Sequence, residues 1–410
     1  MRGWIITADI VESRNIKERK TFQQQLQQLL DEINDRFSGS LGCRFHITLG
    51  DQFSGLVMDP ETLLEIVLEI ICGLNSNVSF RFGIAFGEVE TGGSDISGGP
   101  GYRMALKGVK KARKKKLPLV FTGENLEISR DMLELILAGF IYFFNGFSCR
   151  QRQIMLRIMK GKTQSEIAGE LGITQPAVSQ ALKNIYWRFF RRVYHIYPRI
   201  LSRNKEQGFS GEYTALIGSW EGTFGESLQS LLREINNDYR GIIESRFVVT
   251  VPFTDGEGYE FQGLLHKREG LFDLISDLVA GGEGVKIGIG LGEIDTELRK
   301  EAVGMDGPAF YRAREAIDIA KDGGLVSVCA GDGEVLTRLS AALSLVLILP
   351  SEWTYRQWRI VKLKRQGWTQ EKIGKNLGIT RPTVSSHLAG AGWNIFSYFR
   401  KRVGEFSGMI

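Results

Sequence analysis

"FGIAFGEVET" at residues 82 to 91 returns as "IGIGLGEIDT" at 287 to 296, and this recurrence decides how the whole chain is read. Two further blocks repeat in the same order. "GGPGYRMAL" at 98 to 106 matches "DGPAFYRAR" at 306 to 314, and "TQSEIAGELGITQPAVSQAL" at 163 to 182 matches "TQEKIGKNLGITRPTVSSHL" at 369 to 388, the last pair sharing 11 of 20 positions. The offsets are 205, 208 and 206, so three separate blocks keep both order and spacing. Two homologous halves follow, near 1–205 and 211–410, joined by the polar stretch "RNKEQGFSGE".

Around the first block, each half reads as an alternation of short apolar strands and helices with 3.6-residue spacing. In the first half the order is "GWIITADI", "ERKTFQQQLQQLLDEINDRF", "RFHITLG", "FSGLVM", "ETLLEIVLEIICGL", "VSFRFGIAFGEV", "GPGYRMALKGVKKARKK" and "LPLVFTG". This β-α-β-β-α-β-α-β order predicts an α+β fold: a ferredoxin-like sheet with helices packed against one face. A helical module follows in each half. The expected domains are 1–128 and 211–332 for the sheets, and 129–205 and 333–410 for the helical modules. "GGSDISGGPG" reads as a loop before a helix.

The helical module carries the more specific pattern. Thr163 and Glu166 have capping-box spacing, Gly172 supplies a turn, and Thr174 with Pro176 opens a second helix. Ile167, Ala168, Leu171, Val178 and Leu182 face inward, which makes a helix-turn-helix. Its second helix turns Gln175, Ala177, Ser179, Gln180 and Lys183 outward, short polar groups able to reach base edges. With Thr163, Gln164 and Thr174 they form the candidate DNA-binding set. The second copy supplies Thr369, Gln370, Thr380, Arg381, Thr383, Ser385, Ser386 and His387. Two amphipathic helices can also be plain packing, but two basic copies weaken that reading.

Composition sets outer limits. The chain has 410 residues, 43% hydrophobic and 24% charged, an ordinary globular balance. The apolar runs 133–147 and 339–349 are shorter than the roughly 18 residues a membrane span needs. "MRGWIITADIVES" shows no cleavage-site pattern, and Cys43, Cys72, Cys149 and Cys329 have neither metal nor disulfide spacing. A reducing cytoplasm and no membrane partner are expected. Segments 148–205 and 351–402 hold 12 and 11 Lys plus Arg against 2 Glu each, or +19 together, whereas the whole chain carries +5. Positive charge is concentrated on the helical modules, as binding to double-stranded DNA requires. The aromatic-basic stretches after each helix-turn-helix read as core or dimer face, and "KGVKKARKKK" at 107 to 116 as a solvated helix face.

One acid remains, in "TLGDQFSG" at 48 to 55, whose counterpart in the second half is Tyr259 of "GEGYEFQG". Asp9 closes the first strand, and Asp51 lies in the turn between the next two. Two carboxylates at one sheet edge can hold Mg²⁺ against a triphosphate. Acids at strand ends also serve as caps and turn residues. On Asp9, Gly50, Asp51, Phe53, "RFGIAFGEV" and "GGPGYRMA", the sheet resembles the palm of class III nucleotidyl cyclases and GGDEF diguanylate cyclases over roughly 3–125, and more faintly over 213–330. That resemblance implies a metal at Asp9 and Asp51 and a nucleotide held by Ile10, Gly50, Phe53, Arg103 and Lys107. A cyclase helix usually carries an Asn and, a turn later, an Arg; the corresponding stretch here reads "YRMALKG", with Arg103 and Lys107 as the nearest candidates, and the second half has Gly218 or Ser219 opposite Asp9. The pattern at 288 to 316 resembles the SatD family of bacterial proteins. The helix-turn-helix resembles sigma-factor region four and LuxR-type regulators.

Two functions are therefore expected. The first is a transcriptional regulator: the paired sheets form an intramolecular pseudo-dimer, sense a nucleotide and position two DNA-reading helices. The alternative is a Mg²⁺-dependent nucleotidyl cyclase using Asp9 and Asp51. His46, His195, His266 and His387 show no metal-ligand spacing. Glu88 and Glu293 recur at one place in both halves, which suits a shared structural bond.

Overall fold

The computed structural model describes residues 1–13, 16, 18–74, 77–122, 130–185, 187–201, 212–221, 226–252, 258–282, 284–322, 324–329 and 333–407. The chain forms two compact units, Met1–Arg203 and Asn204–Ile410. Most of the polar joining stretch lies outside the described residues.

The first unit runs β1 (Arg2–Ile10), α1 (Arg19–Arg36), β2 (Leu41–Leu49), β3 (Gln52–Val57), a single 3-10 turn (Pro60–Thr62), α2 (Leu63–Gly73), β4 (Phe80–Glu88), β5 (Glu90–Gly92), β6 (Asp95–Gly98), α3 (Pro100–Lys115) and β7 (Leu119–Thr122). Helices α4 (Arg130–Gly146), α5 (Cys149–Met159), α6 (Gln164–Leu171), α7 (Gln175–Asn184) and α8 (Trp187–Leu201) follow. The second unit follows the same order, without counterparts of the 3-10 turn and the β5–β6 pair among its described residues: β8 (Tyr213–Trp220), α9 (Glu226–Asp238), β9 (Ile243–Pro252), β10 (Tyr259–Leu265), α10 (Leu271–Gly281), β11 (Lys286–Gly292), α11 (Pro308–Lys321) and β12 (Val326–Cys329). It closes with α12 (Gly333–Ser351), α13 (Tyr355–Arg365), α14 (Gln370–Leu377), α15 (Arg381–Gly390) and α16 (Trp393–Ser407). Part of "GGSDISGGPG" is not loop but the strand β6, paired with β5.

Both sheets have the same plan. Strand order is β2-β3-β1-β4-β7 in the first and β9-β10-β8-β11-β12 in the second. The central strand is antiparallel to both neighbours, and the last strand returns parallel after a helical crossover. One expectation is corrected: helices cover both faces, not one. Gly3, Ile5, Thr7 and Asp9 alternate with Trp4, Ile6, Ala8 and Ile10 along β1, and all eight are buried. Helix α3 covers the face of Gly83 and Gly87; a Cβ at Gly83 would stand 2.1 Å from the Ala105 carbonyl oxygen. The opposite face lies under the layer of α1, α2 and α4. Crossover helices impose this arrangement, because a parallel return must pass over the face that the α1–α2 layer leaves open.

Side chains from neighbouring helices bond the backbone of the outer strands. Asn34 Nδ2 donates to the Phe45 carbonyl and its Oδ1 accepts from the Phe45 N–H; Asn236 does the same to Phe247. On the other edge, Glu134 of α4 accepts from Phe121 N–H, while Ser340 and Ser344 of α12 bond the backbone of β12. These contacts satisfy edge groups that would otherwise template another strand. Helix α4 thus belongs to the sheet as much as to the helical part, since its other side holds Phe140 and Phe144 against Phe190 of α8. The aromatic side of α8 is core, as expected: Phe190, Val193 and Tyr197 are buried.

Among the described residues no helix is long and apolar enough to cross a membrane.

Candidate nucleic-acid interface

In each unit the fourth-from-last to second-last helices form a compact triplet. Helix α6 starts on a reciprocal cap. Thr163 Oγ1 accepts from Glu166 N–H at 3.3 Å, and Glu166 Oε2 accepts from Thr163 N–H at 2.7 Å. Donation from the Thr163 N–H and from its hydroxyl to Glu166 Oε2 holds the Glu166 carboxyl below its usual range. Gly172 stops the helix at φ 61°, a left-handed conformation that lets the chain turn at once. Thr174 then caps α7, with Pro176 in its first turn. The second unit uses Thr369, Gly378 and Thr380 at the same places. There Lys372 stands where Glu166 closes the capping box, so only one half of that box remains.

Burial follows from this geometry. Ile167, Val178 and Leu182 point into the module, as do Ile373, Val384 and Leu388. The outward residues of α7, Gln175, Ala177, Ser179, Gln180 and Lys183, are all exposed, as are Thr163 and Thr174. Gln164 is half-buried and accepts a hydrogen bond from Gln175 at 2.6 Å, fixing the start of α7 to the start of α6. In the second unit Thr369, Thr380, Arg381, Ser385 and Ser386 are exposed, whereas Gln370, Thr383 and His387 are half-buried. Thr383 bonds the Thr380 hydroxyl at 2.8 Å. Neither α7 nor α15 contains an acid.

The helical modules do not present all their positive charge to solvent. Arg152 is 1% exposed, and its guanidinium donates to the carbonyls of Val78, Asn145 and Phe147, which ties α5 to the sheet. Lys160 pairs with Glu69 of α2 at 2.8 Å. In the second unit four of the cations counted above face acids of the sheet part. Arg359 and Lys362 pair with Glu234 at 3.3 and 2.5 Å, Arg365 with Asp277 and Asp273, and Arg400 with Asp273 at 2.6 Å. Asp277 is fully buried and also accepts from Tyr239 Oη at 2.5 Å and Trp358 Nε1 at 2.7 Å. Sequence reasoning missed this docking role. Its signal was available: Glu65 and Glu69, like Asp273 and Asp277, sit four residues apart on the apolar helices α2 and α10.

The sheet-edge acid resolves differently from the palm resemblance. Asp9 is 1% exposed, and its two carboxylate oxygens take Arg81 of β4 at 3.4 Å and Arg113 of α3. Burial nevertheless holds the Asp9 carboxyl above its usual range. Asp51 is close enough to add to that rise, in the turn after Gly50, which adopts φ 67°. Binding Mg²⁺ would mean breaking both guanidinium contacts, so Asp9 does not fit a ready metal ligand. Among the described residues no group of three or more His, Cys, Asp or Glu is placed to hold a metal.

The expected nucleotide residues are not brought together. Phe53 is 0% exposed and Ile10 4%, both in the core and Phe53 against the Phe80 ring. Arg103 and Lys107 are exposed, but Arg103 lies ten residues before Arg113 on α3, about 15 Å along the axis from the Asp9 end. The cleft beside Arg81, about 580 Å³, is lined by Val11, Lys116, Tyr142, Phe143 and Asn145 and includes none of the expected set.

The second unit shows what the acid does. Register places Ser219 at the Asp9 position, because Ser219 pairs with Lys286 as Asp9 pairs with Arg81. Glu260, across the ladder from Ser219, takes over: it bonds Lys321 of α11 at 3.0 Å and also Arg314. Lys321 is the repeat counterpart of Arg113. Both copies therefore anchor the end of the crossover helix to an acid on the sheet.

No curated protein matches the chain. The SatD family profile matches it twice, over residues 4–196 and 219–406, so that each unit, sheet and helices together, is one copy of a single family's domain. The chain is a tandem duplicate and belongs to the SatD family.

Proposed function

We propose that the protein is a DNA-binding regulator in which two helix-turn-helix modules, α6–α7 and α14–α15, read base edges from ferredoxin-like scaffolds. The carrying observation is the outward face of α7 and α15: capped by threonine, acid-free, and exposing Gln175, Ser179, Gln180 and Lys183 or Arg381, Ser385 and Ser386. These side chains suit groove contacts, and the acid-free first turn of each helix favours phosphate. The four cysteines are free thiols, consistent with a reducing cytoplasm. The docked acids and bases give each module a fixed seat on its sheet, which a reader of DNA register needs.

The two reading helices differ, so the preferred site should be asymmetric. Selection of full-length protein against a random duplex pool, followed by anisotropy at several salt concentrations, tests this. A recovered consensus with affinity that falls as salt rises supports the reading. No salt-dependent affinity for any duplex at about 50 mM salt would overturn it. The ion-paired state of Asp9 gives the cyclase alternative no supporting observation.

A further inference from the structure

The two copies differ at the seam between the sheet part and the last helix. In the first unit this seam is filled. Tyr197 of α8 is 2% exposed and its hydroxyl reaches the Pro60 carbonyl at 3.4 Å. Just before α2, the Asp59 carboxylate accepts from Glu61 N–H at 3.0 Å, which places an internal anion at the start of that segment.

In the second unit each of these features is replaced. The repeat puts Val403 where Tyr197 stands, Lys267 for Asp59, Arg268 for Pro60, Arg400 for Tyr194 and Lys401 for His195. A cavity of about 490 Å³ results, lined by Arg268, Leu271, Leu343, Arg400, Lys401 and Val403 among others. Three of these are cations; the acid in the lining, Asp273, holds Arg400 through two bonds of 2.7 and 2.6 Å. No side chain caps the start of α10, where Gly270 stands at φ 93°. The volume lies in the range of small-molecule pockets, and the lining combines apolar side chains with a few charged groups.

We propose that this cavity in the second unit binds a small phosphate-bearing molecule with an apolar or planar body, of mononucleotide size. The anion takes the place of the Asp59 carboxylate, between Arg268 and Lys401, and the body fills the space that Tyr197 occupies in the first unit. The occupant touches both α10 and α16, so it fastens the sheet part to the helical part. This site is independent of how the protein meets DNA.

Isothermal titration of the full chain with inorganic phosphate, pyrophosphate and AMP tests the assignment, beside Val403→Tyr and Arg268→Gln/Lys401→Gln. Thermal melting and circular dichroism first establish that each variant is folded. Wild type should bind AMP saturably and more tightly than phosphate. Val403→Tyr, which restores the residue of the first unit, should lose at least tenfold in AMP affinity, and the charge variant should weaken all three probes. Wild type that binds none of the probes would overturn the proposal, as would AMP affinity unchanged in folded Val403→Tyr. Phosphate binding that survives the charge variant would identify an adventitious ion only and would count against the site.

Discussion

Glu260 on β10 lies directly across the ladder from Ser219 on β8, the residue that stands in the place of Asp9. Continuing the first unit's register from Ala8↔Phe53 puts Gln52 across from Asp9. The acid has therefore moved between cross-strand neighbours from one copy to the other, while its helical partner, Arg113 or Lys321, kept its position.

That exchange predicts rescue. Asp9→Ser leaves Arg81 without its buried counter-ion and should cost about 3 kcal/mol, in the range for breaking a buried pair. Asp9→Ser/Gln52→Glu rebuilds the second unit's arrangement and should recover more than half of the loss in urea unfolding. A residue kept for metal ligation would show no such recovery.

The pH dependence of the two acids has opposite sign. Burial raises the Asp9 carboxyl, and Arg113 and Arg81 offset it only in part. Burial also acts on Glu260, but the bonds from Arg314 and Lys321 outweigh it and leave that carboxyl below its usual range. A raised folded value gives stability that is complete below the unfolded pKa, about 3.9 for Asp, and is lost as pH rises through the folded one. A lowered value gives stability present above the unfolded pKa, about 4.3 for Glu, and lost as pH falls through the folded one. Urea unfolding between pH 3 and 6 should then show a steeper acid loss in Asp9→Asn and a shallower one in Glu260→Gln. Equal slopes in both variants and wild type would remove these acids from the pH response.

Asp277 should be the most sensitive polar position in the second unit. It is fully buried and receives Tyr239, Trp358 and Arg365. Arg365→Met leaves the buried Asp277 carboxylate without its counter-ion, and Asp277→Ala leaves Arg365 with Asp273 alone, so the first should cost about 3–5 kcal/mol and the second somewhat less. Methionine is chosen because Met159 holds that position in the first unit. The double variant should lose far less than the sum, with coupling of roughly 2 kcal/mol or more in a double-mutant cycle. Additive losses would mean that the pair does not act as a unit.

The duplication, the caps and, apart from the short β5–β6 pair, the strand and helix order were legible because each has a local signature. Thr163, Gly172 and Thr174 announce themselves by type and spacing, and Val178 with Leu182 by period. The covering of both sheet faces was not legible, because it depends on α3 crossing over Gly83 and Gly87, a long-range packing choice. Nor was the fate of the charge. Arg152, Arg365 and Arg400 look like DNA contacts in a count, but Val78, which helps hold the first, and the acids Asp277 and Asp273, which hold the others, lie dozens of residues away in sequence. Phe53 and Arg103 seemed to belong with Asp9 by resemblance; the fold buries one and carries the other to the far end of α3.

On the proposed DNA-binding reading, specific and non-specific contacts should separate between α15 and α7. Arg381 is exposed in the first turn of α15, whereas its counterpart Gln175 is held by Gln164. A guanidinium there can take guanine bidentately, so Arg381→Gln should cost about 1–3 kcal/mol on the preferred duplex and relax preference at one base pair. Lys183 is exposed at the last turn of α7, a place suited to phosphate. Lys183→Ala should weaken preferred and random duplexes alike and lower the salt slope by about one. Competition anisotropy at three salt concentrations distinguishes them: an unchanged consensus in Arg381→Gln would remove Arg381 from base reading, and an unchanged salt slope in Lys183→Ala would remove Lys183 from the phosphate contacts.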